Sequence, residues 1–333
     1  MSPSTLRVVP LAALTLLAGV PALAAEPAVE IREWPVPWED TRPRDPFVGP
    51  EGDVWFVGQR GDYVGVLEPT SGRFERFDLE DGSGPHNLIV ADSGAVWVAG
   101  NRAAWIGRLD PETGALDAIP MPDPEAGDPH TLTFGRRGEI WFTVQHAGFV
   151  GRLDPSTKDV ELVKLPTPGS RPYGIAVDGA GRPWIAEFGG NRIATVDPDT
   201  LSLREYDLPE GSRPRRIAVV GDRVWFVDYG QGRLGRLDPA TGEVTVWTTP
   251  SGEGSLPYAL AVDDRGWPWF VETGPQPNLL VGFDPETESF TPPTPIPSGG
   301  STVRHMVFHE PTGTIWFGTD KDTIGRATVR AGS

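Results

Sequence analysis

Histidine is scarce in this chain, and its placement is the first clue to chemistry. Of five histidines, His86, His130 and His305 recur near the start of a short apolar run, and the same phase of four other runs carries Phe47, Tyr173, Arg215 and Tyr258. A second phase, three residues after a recurrent tryptophan, reads Gly58, Gly100, Val144, Glu187, Asp228, Glu272 and Thr319. Acids thus occupy one phase in three consecutive copies. His146 lies five residues after Trp141, and Arg171, Arg213 and Arg304 add positive charge beside the first phase. His, Tyr, Arg and carboxylate in one funnel could take an anionic or aromatic ligand, with His86, His130, Tyr173, Arg215, Tyr258 and His305 as its contacts. Glu187, Asp228 and Glu272 could instead hold a hard divalent cation through oxygen. The plainer alternative is that these groups only hydrate the mouth of a channel and satisfy one another. No P-loop, G-x-S-x-G, H-E-x-x-H or cysteine-based metal motif is present.

The elements that must position these residues are repeats. Trp55, Trp97, Trp141, Trp184, Trp225, Trp269 and Trp316 are separated by 42, 44, 43, 41, 44 and 47 residues. Each copy has an apolar run, a Gly-containing turn, a Trp-centred run, an apolar-Gly-Arg-Leu-like run and an alternating run. A period of 40–50 residues with four strand-like runs predicts an all-β, seven-bladed β-propeller. In the second copy the strands are predicted at His86–Ala91 (A), Ala95–Gly100 (B), Ala104–Asp110 (C) and Ala115–Met121 (D). An A–B hairpin is antiparallel, so the start of A lies beside the end of B. Strand A lines a propeller's channel, which predicts that both phases form concentric rings at one mouth. The tryptophans, one per blade at fixed phase, read as packing residues between blades.

One strand-like run precedes the first copy. Val29–Val36 alternates as an outer strand should and resembles the last runs Arg73–Leu79, Ala115–Met121, Val160–Leu165, Leu203–Leu208 and Glu243–Thr248. The final copy stops at Thr323–Arg330 without such a run. Ring closure by the N-terminal strand is therefore predicted, and it removes an open edge. Met1–Ala24 carries one charge, Arg7, an apolar stretch and an Ala22-Leu23-Ala24 cleavage-like site, which reads as a secretory signal peptide. The expected mature chain is a single domain over residues 25–333, periplasmic or secreted, with no membrane span after cleavage. A monomer is expected.

Composition agrees. Cysteine is absent, so an exported chain must rely on its apolar core. The formal net charge of −17 repels phosphate backbones and excludes nucleic acid as an expected partner. The 41 glycines and 36 prolines fall at repeat turns. C–D turns such as Asp-Pro-Glu-Thr-Gly suggest turn capping by aspartate rather than calcium binding. The sixth copy is irregular: Trp269 to Gly282 spans 13 residues against 10 earlier, and Thr291–Gly300 is proline-rich. Loop variation of this kind tends to mark a binding face.

Trp184-Ile-Ala-Glu187-Phe-Gly-Gly-Asn191-Arg-Ile193 and Arg171-Pro-Tyr-Gly-Ile175 resemble the repeats of the streptogramin B lyase (virginiamycin B lyase) family. The resemblance spans residues 29–330. It implies a magnesium-assisted elimination that opens a cyclic depsipeptide antibiotic at its ester. It also implies a base histidine two residues after a strand-B glutamate that helps hold the metal, with an assisting histidine on the preceding blade. Glu272 matches the glutamate, but residues 274 and 230 are glycine; only His146 fills that phase, on another blade. Glu272 and His146 are thus the catalytic candidates, and streptogramin cleavage itself is expected to be absent or very weak. Three activities follow: a metal-assisted C–O lyase or esterase-like enzyme on a small cyclic or ester substrate, a non-catalytic ligand- or protein-binding propeller, or a metal-dependent lactonase. Seven copies and the lack of a Glu/Asn/Asp metal set argue against the last.

Overall fold

A computed structural model describes residues 29–329. The signal-peptide reading of Met1–Ala24 lies outside the described residues. Seven antiparallel sheets follow one another around an axis, each with strands in the order A, B, C, D from the axis outward. Strand A begins at Pro43, Pro85, Pro129, Pro172, Pro214, Pro257 and Val303 in blades one to seven. The second blade's strands run Pro85–Val90, Val96–Gly100, Trp105–Leu109 and Leu116–Pro120, within a residue or two of expectation.

Burial grades outward as the composition dictates. The B strands Val54–Gly58, Val96–Gly100 and Ile140–Val144 are buried at every position. These continuous apolar runs are covered on both faces. The outer strand Arg73–Asp78 is exposed or half-buried throughout. All seven tryptophans are buried, and the core clusters join adjacent blades: Trp97 and Ile106 of blade two pack with Leu132 and Phe142 of blade three. The seven A–B turns carry Gly52, Gly94, Gly138, Gly181, Gly221, Gly266 and Gly313, all at positive φ, which explains the residue chosen there. Asp110, Asp154, Asp197, Asp238 and Asp284 accept backbone N–H groups two residues on, as turn caps. In blade six the proline-rich stretch breaks strand D into Ser289–Phe290 and Thr294–Pro295, both paired with strand C.

The ring closes as the sequence predicts. Glu30–Pro35 pairs antiparallel with Thr323–Thr328, from Glu30 opposite Thr328 to Pro35 opposite Thr323. Trp34 is buried and stacks on Trp316 with ring centroids 5.4 Å apart. Glu33 accepts Ser298 N at 2.6 Å and Thr323 Oγ1 at 2.7 Å, pinning the strand to the chain leaving blade six. Trp34→Ala should therefore cost about 3–5 kcal/mol of stability, and a chain started at Asp40 should melt many degrees lower or aggregate. Unchanged denaturation curves for both would contradict this closure.

Candidate functional site

Every strand A carries a β-bulge. In blade two, Pro85 pairs with Gly100 and Leu88 with Val98, so two residues oppose one. The same shift occurs after Pro129, Pro172, Pro214, Pro257 and Val303, and between Arg44 and Phe47 in blade one. A bulge re-aims side chains. Here it gives the mouth two inner rings instead of one. Aligned on register, the first reads Arg44, His86, His130, Tyr173, Arg215, Tyr258 and Arg304. The second reads Asp45, Asn87, Thr131, Gly174, Arg216, Ala259 and His305.

Five of the expected ligand contacts hold their phase: His86, His130, Tyr173, Arg215 and Tyr258. Two placements are corrected. His305 stands in the second ring, one residue deeper in phase than expected, because Arg304 takes the first. Phe47 pairs with Trp55 at the other end of strand A and lines a cavity of about 850 Å³ at the opposite end of the molecule, with Trp97, Phe134, Arg108 and His309. That cavity's walls mix apolar residues with Asp92, Ser93, Arg108, Ser156 and His309; the clustered buried titratable groups sit at the strand-A-start mouth, so we place the candidate site there.

The axis at this mouth is built around Asp45. Its carboxylate accepts from Arg44 Nε at 2.9 Å, Asn87 Nδ2 at 3.0 Å and Arg216 Nη2 at 3.1 Å. Arg216 also donates to Thr131 Oγ1 at 3.2 Å and to the Arg304 carbonyl at 2.9 Å. Five blades are thereby tied together. Burial opposes ionisation of Asp45, but Arg44 and Arg216 outweigh it and hold the carboxyl well below the usual range. None of Arg44, Asp45, Asn87, Thr131 or Arg216 was singled out from sequence. The strand-opening proline is the signal that finds them: counting from Pro43 rather than from Trp55 places Arg44 with His86.

Around this hub the rings are closely stacked. His86 and His130 have centroids 3.6 Å apart, and His130 and Tyr173 4.3 Å. The hydroxyls of Tyr173 and Tyr258 hydrogen-bond across the mouth. Arg215 lies over the Tyr258, Phe188, Tyr229 and Tyr173 rings at 3.8, 4.5, 4.5 and 4.9 Å. Burial, reinforced by Arg44 and Arg216, pushes His86 well down; burial and its neighbour His86 do the same to His130. Burial and Arg216 push His305 down to about 3. These imidazoles are neutral at neutral pH, and the stability this represents declines as pH falls below 6.5. Burial alone would raise the Tyr173 phenol, yet Arg44, Arg215 and Arg216 hold it at about 8; Tyr258 is pushed up by burial and by Tyr173.

The three strand-B acids do end beside the strand-A starts, Pro172 pairing with Glu187, Pro214 with Asp228 and Pro257 with Glu272. Their side chains do not converge. At the same position in blades one and two, a Cβ would meet the rings of Tyr63 and Trp105, so this position faces between blades rather than the axis. Glu272 accepts Ser251 N at 2.9 Å and the Ser251 hydroxyl. Asp228 Oδ1 accepts Arg213 N, Gly230 N and Gln231 N at 2.8, 3.1 and 3.2 Å. Glu187 is buried with neither oxygen hydrogen-bonded, beside Glu205. Among the described residues no group of three or more His, Asp or Glu is placed to share a metal ion. The donor set thus does not fit the shared divalent cation expected of Glu187, Asp228 and Glu272.

His146 sits on the rim of blade three, largely exposed, with Nδ1 2.6 Å from Asp128 Oδ2. The equivalent positions in blades four to six are exposed glycines whose Cβ direction is obstructed, by backbone at Gly189 and Gly274 and by the Arg213 side chain at Gly230. A Cβ on Gly274 would lie 1.8 Å from the Gly254 carbonyl oxygen, and one on Gly189 2.2 Å from the Gly169 oxygen. On Gly230 it would meet Arg213 Cγ at 2.9 Å.

Seven four-stranded blades, closed by the first strand around an axis filled with arginine, tyrosine and histidine, define a β-propeller with its titratable groups at one mouth. The virginiamycin B lyase family model matches residues 23–224, and the chain belongs to that family. Among solved structures it is similar to virginiamycin B lyase from Staphylococcus aureus, at 24% identity and a TM-score of 0.82 over 91% of this chain and 100% of that one. A streptogramin B lyase structure matches at 26% identity and 0.81, over 91% and 98%. Hydrazine synthase of Kuenenia stuttgartiensis shares the fold at 11% identity and 0.75, over 89% and 97%. No curated protein sequence matches the chain.

Burial and the Glu205 carboxylate push Glu187 up to about 8 from 4.5. A raised carboxyl stabilises the fold fully below 4.5 and loses that contribution as pH rises through about 8. Relative to Glu187→Gln, the native chain should lose stability across this window, with a slope of at most about 1.4 kcal/mol per pH unit. Denaturation at a series of pH values checks it; a pH-independent difference would contradict the assignment.

Proposed function

We propose that this protein is an exported ligand-binding propeller of the virginiamycin B lyase family, taking a small molecule at the strand-A-start mouth, and not a streptogramin lyase. The observation that carries the reading is the packing at Gly274. An elimination needs a general base near the abstracted proton, and such a base commonly supplies about 10²–10⁴-fold. The matching position here has no side chain, and the Gly254 backbone occupies the space one would need. Glu272 is already engaged by Ser251. Export is supported by the composition of Met1–Ala24.

A second reading rests on one contact. The exposed His146 imidazole is oriented by Asp128, an arrangement that can serve a general base. It would run elimination or ester cleavage from blade three on a different substrate, with no metal step assigned. His146→Ala separates the two, since it removes activity only under this second reading.

Purified protein incubated with a streptogramin B and magnesium should yield no linear product by mass spectrometry. Gly274→His should stay inactive and melt lower, because its side chain forces the Gly254–Ser255 backbone aside. Rapid turnover abolished by Glu272→Gln would overturn the proposal.

A further inference from the structure

The mouth holds more positive charge than it can neutralise. Arg44, Arg215 and Arg216 converge on the Tyr173–Tyr258 pair. The single carboxylate within this group, Asp45, is already shared by Arg44, Arg216 and Asn87. Arg304, the next cation on the ring, is paired with Asp320. Arg215 faces four aromatic rings, and its Nε has no hydrogen-bond partner. Arg44 is 4% exposed, and its Nη2 likewise has none. A buried charged donor without an acceptor is costly, so native sites rarely leave one unfilled. This occurs in a chain whose formal net charge is −17, so the cluster is a local reversal of sign rather than part of a basic surface.

The outer part of this cluster meets solvent. Arg213 is exposed and lies over Phe188 at 4.2 Å, while Arg215 and Tyr229 are half-buried and Arg44 lies deepest. A ligand arriving at this face meets an aromatic and guanidinium rim first, with the unpartnered Arg44 donor beneath it. Planar rings stack on such a rim, and a carboxylate accepts from guanidinium and phenol donors.

We propose that this mouth binds a small aromatic carboxylate, its carboxylate taken by Arg215, Arg44 and the Tyr173 and Tyr258 hydroxyls and its ring by the Arg213–Phe188–Tyr229 rim. The assignment rests on the ligand-binding reading above and names the ligand's class. It also accounts for Tyr173. Arg44, Arg215 and Arg216 have one carboxylate among them, and against the effect of burial they hold that phenol at about 8. A bound carboxylate supplies the missing charge and pushes the phenol back up.

The test uses benzoate, benzamide and benzylamine with the intact mature protein, read by calorimetry and by tyrosinate absorbance across a pH titration. Benzoate should bind more tightly than benzamide by about tenfold to a hundredfold, and benzylamine should bind worst. Benzoate should shift the appearance of tyrosinate to higher pH, and its affinity should fall as pH rises through about 8. Arg215→Met should lose the preference for benzoate, and Arg215→Lys should restore part of it. The native-protein comparison stands even if Arg215→Met does not fold. Binding of benzamide equal to or tighter than benzoate, at the same mouth, overturns the anion assignment and leaves the ligand-binding reading intact. No binding of benzoate also overturns the assignment. Streptogramin turnover overturns the ligand-binding reading instead.

Discussion

A ring of seven blades has no packed centre of its own, and here the centre is made by one carboxylate. Asp45 comes from blade one, reaches Arg216 of blade five and Asn87 of blade two, and through Arg216 touches blades three and seven. Buried ion pairs recover their desolvation cost only when hydrogen bonds complete them. Asp45 meets that condition with three charged or amide donors, and Gly174 makes room for the neighbour. A Cβ on Gly174 would meet the Arg216 Cα at 2.9 Å, so strand A of blade five could not approach as it does. The histidines are then forced neutral beside this positive centre, and the Tyr173 phenol is drawn toward ionisation.

The scaffold was legible because it is periodic. The Trp spacing, the glycines at A–B turns and the alternation of Val29–Val36 each have a local physical cause, and the structure returns them with small boundary shifts. The site was half legible. His86, His130, Tyr173, Arg215 and Tyr258 were found because polar residues stand out at an apolar phase. Asp45 and Arg216 were missed because a regular hairpin turns only alternate residues inward, whereas the bulge turns two successive ones. The same regularity put Phe47 at the wrong end of its strand. The acids were correctly placed along the chain, yet hairpin register does not report which side of the sheet a carboxylate faces. Glu187, Asp228 and Glu272 face loops and neighbouring blades.

Membership of the virginiamycin B lyase family fixes the scaffold, and the proposed change of chemistry is compatible with it. Blades tolerate change in the loops that join them, and function resides in those loops. At blades four to six the residue two beyond the strand-B acid is glycine, and in blades four and six the backbone of the preceding loop lies where its Cβ would be. At Gly274 the Gly254 carbonyl oxygen lies where a side chain would begin, while Arg44, Arg215 and Arg216 share the single Asp45 carboxylate. These two features point the mouth toward holding an anion rather than removing a proton.

The central claim is that Asp45 couples blade one to blade five across the axis. A double-mutant cycle of Asp45→Asn and Arg216→Met by chemical denaturation measures that coupling directly. The account predicts a loss of about 3–5 kcal/mol for Asp45→Asn alone, with the double variant retaining more than about 1 kcal/mol of stability beyond the sum of the two singles. Additivity within about 0.5 kcal/mol would contradict it.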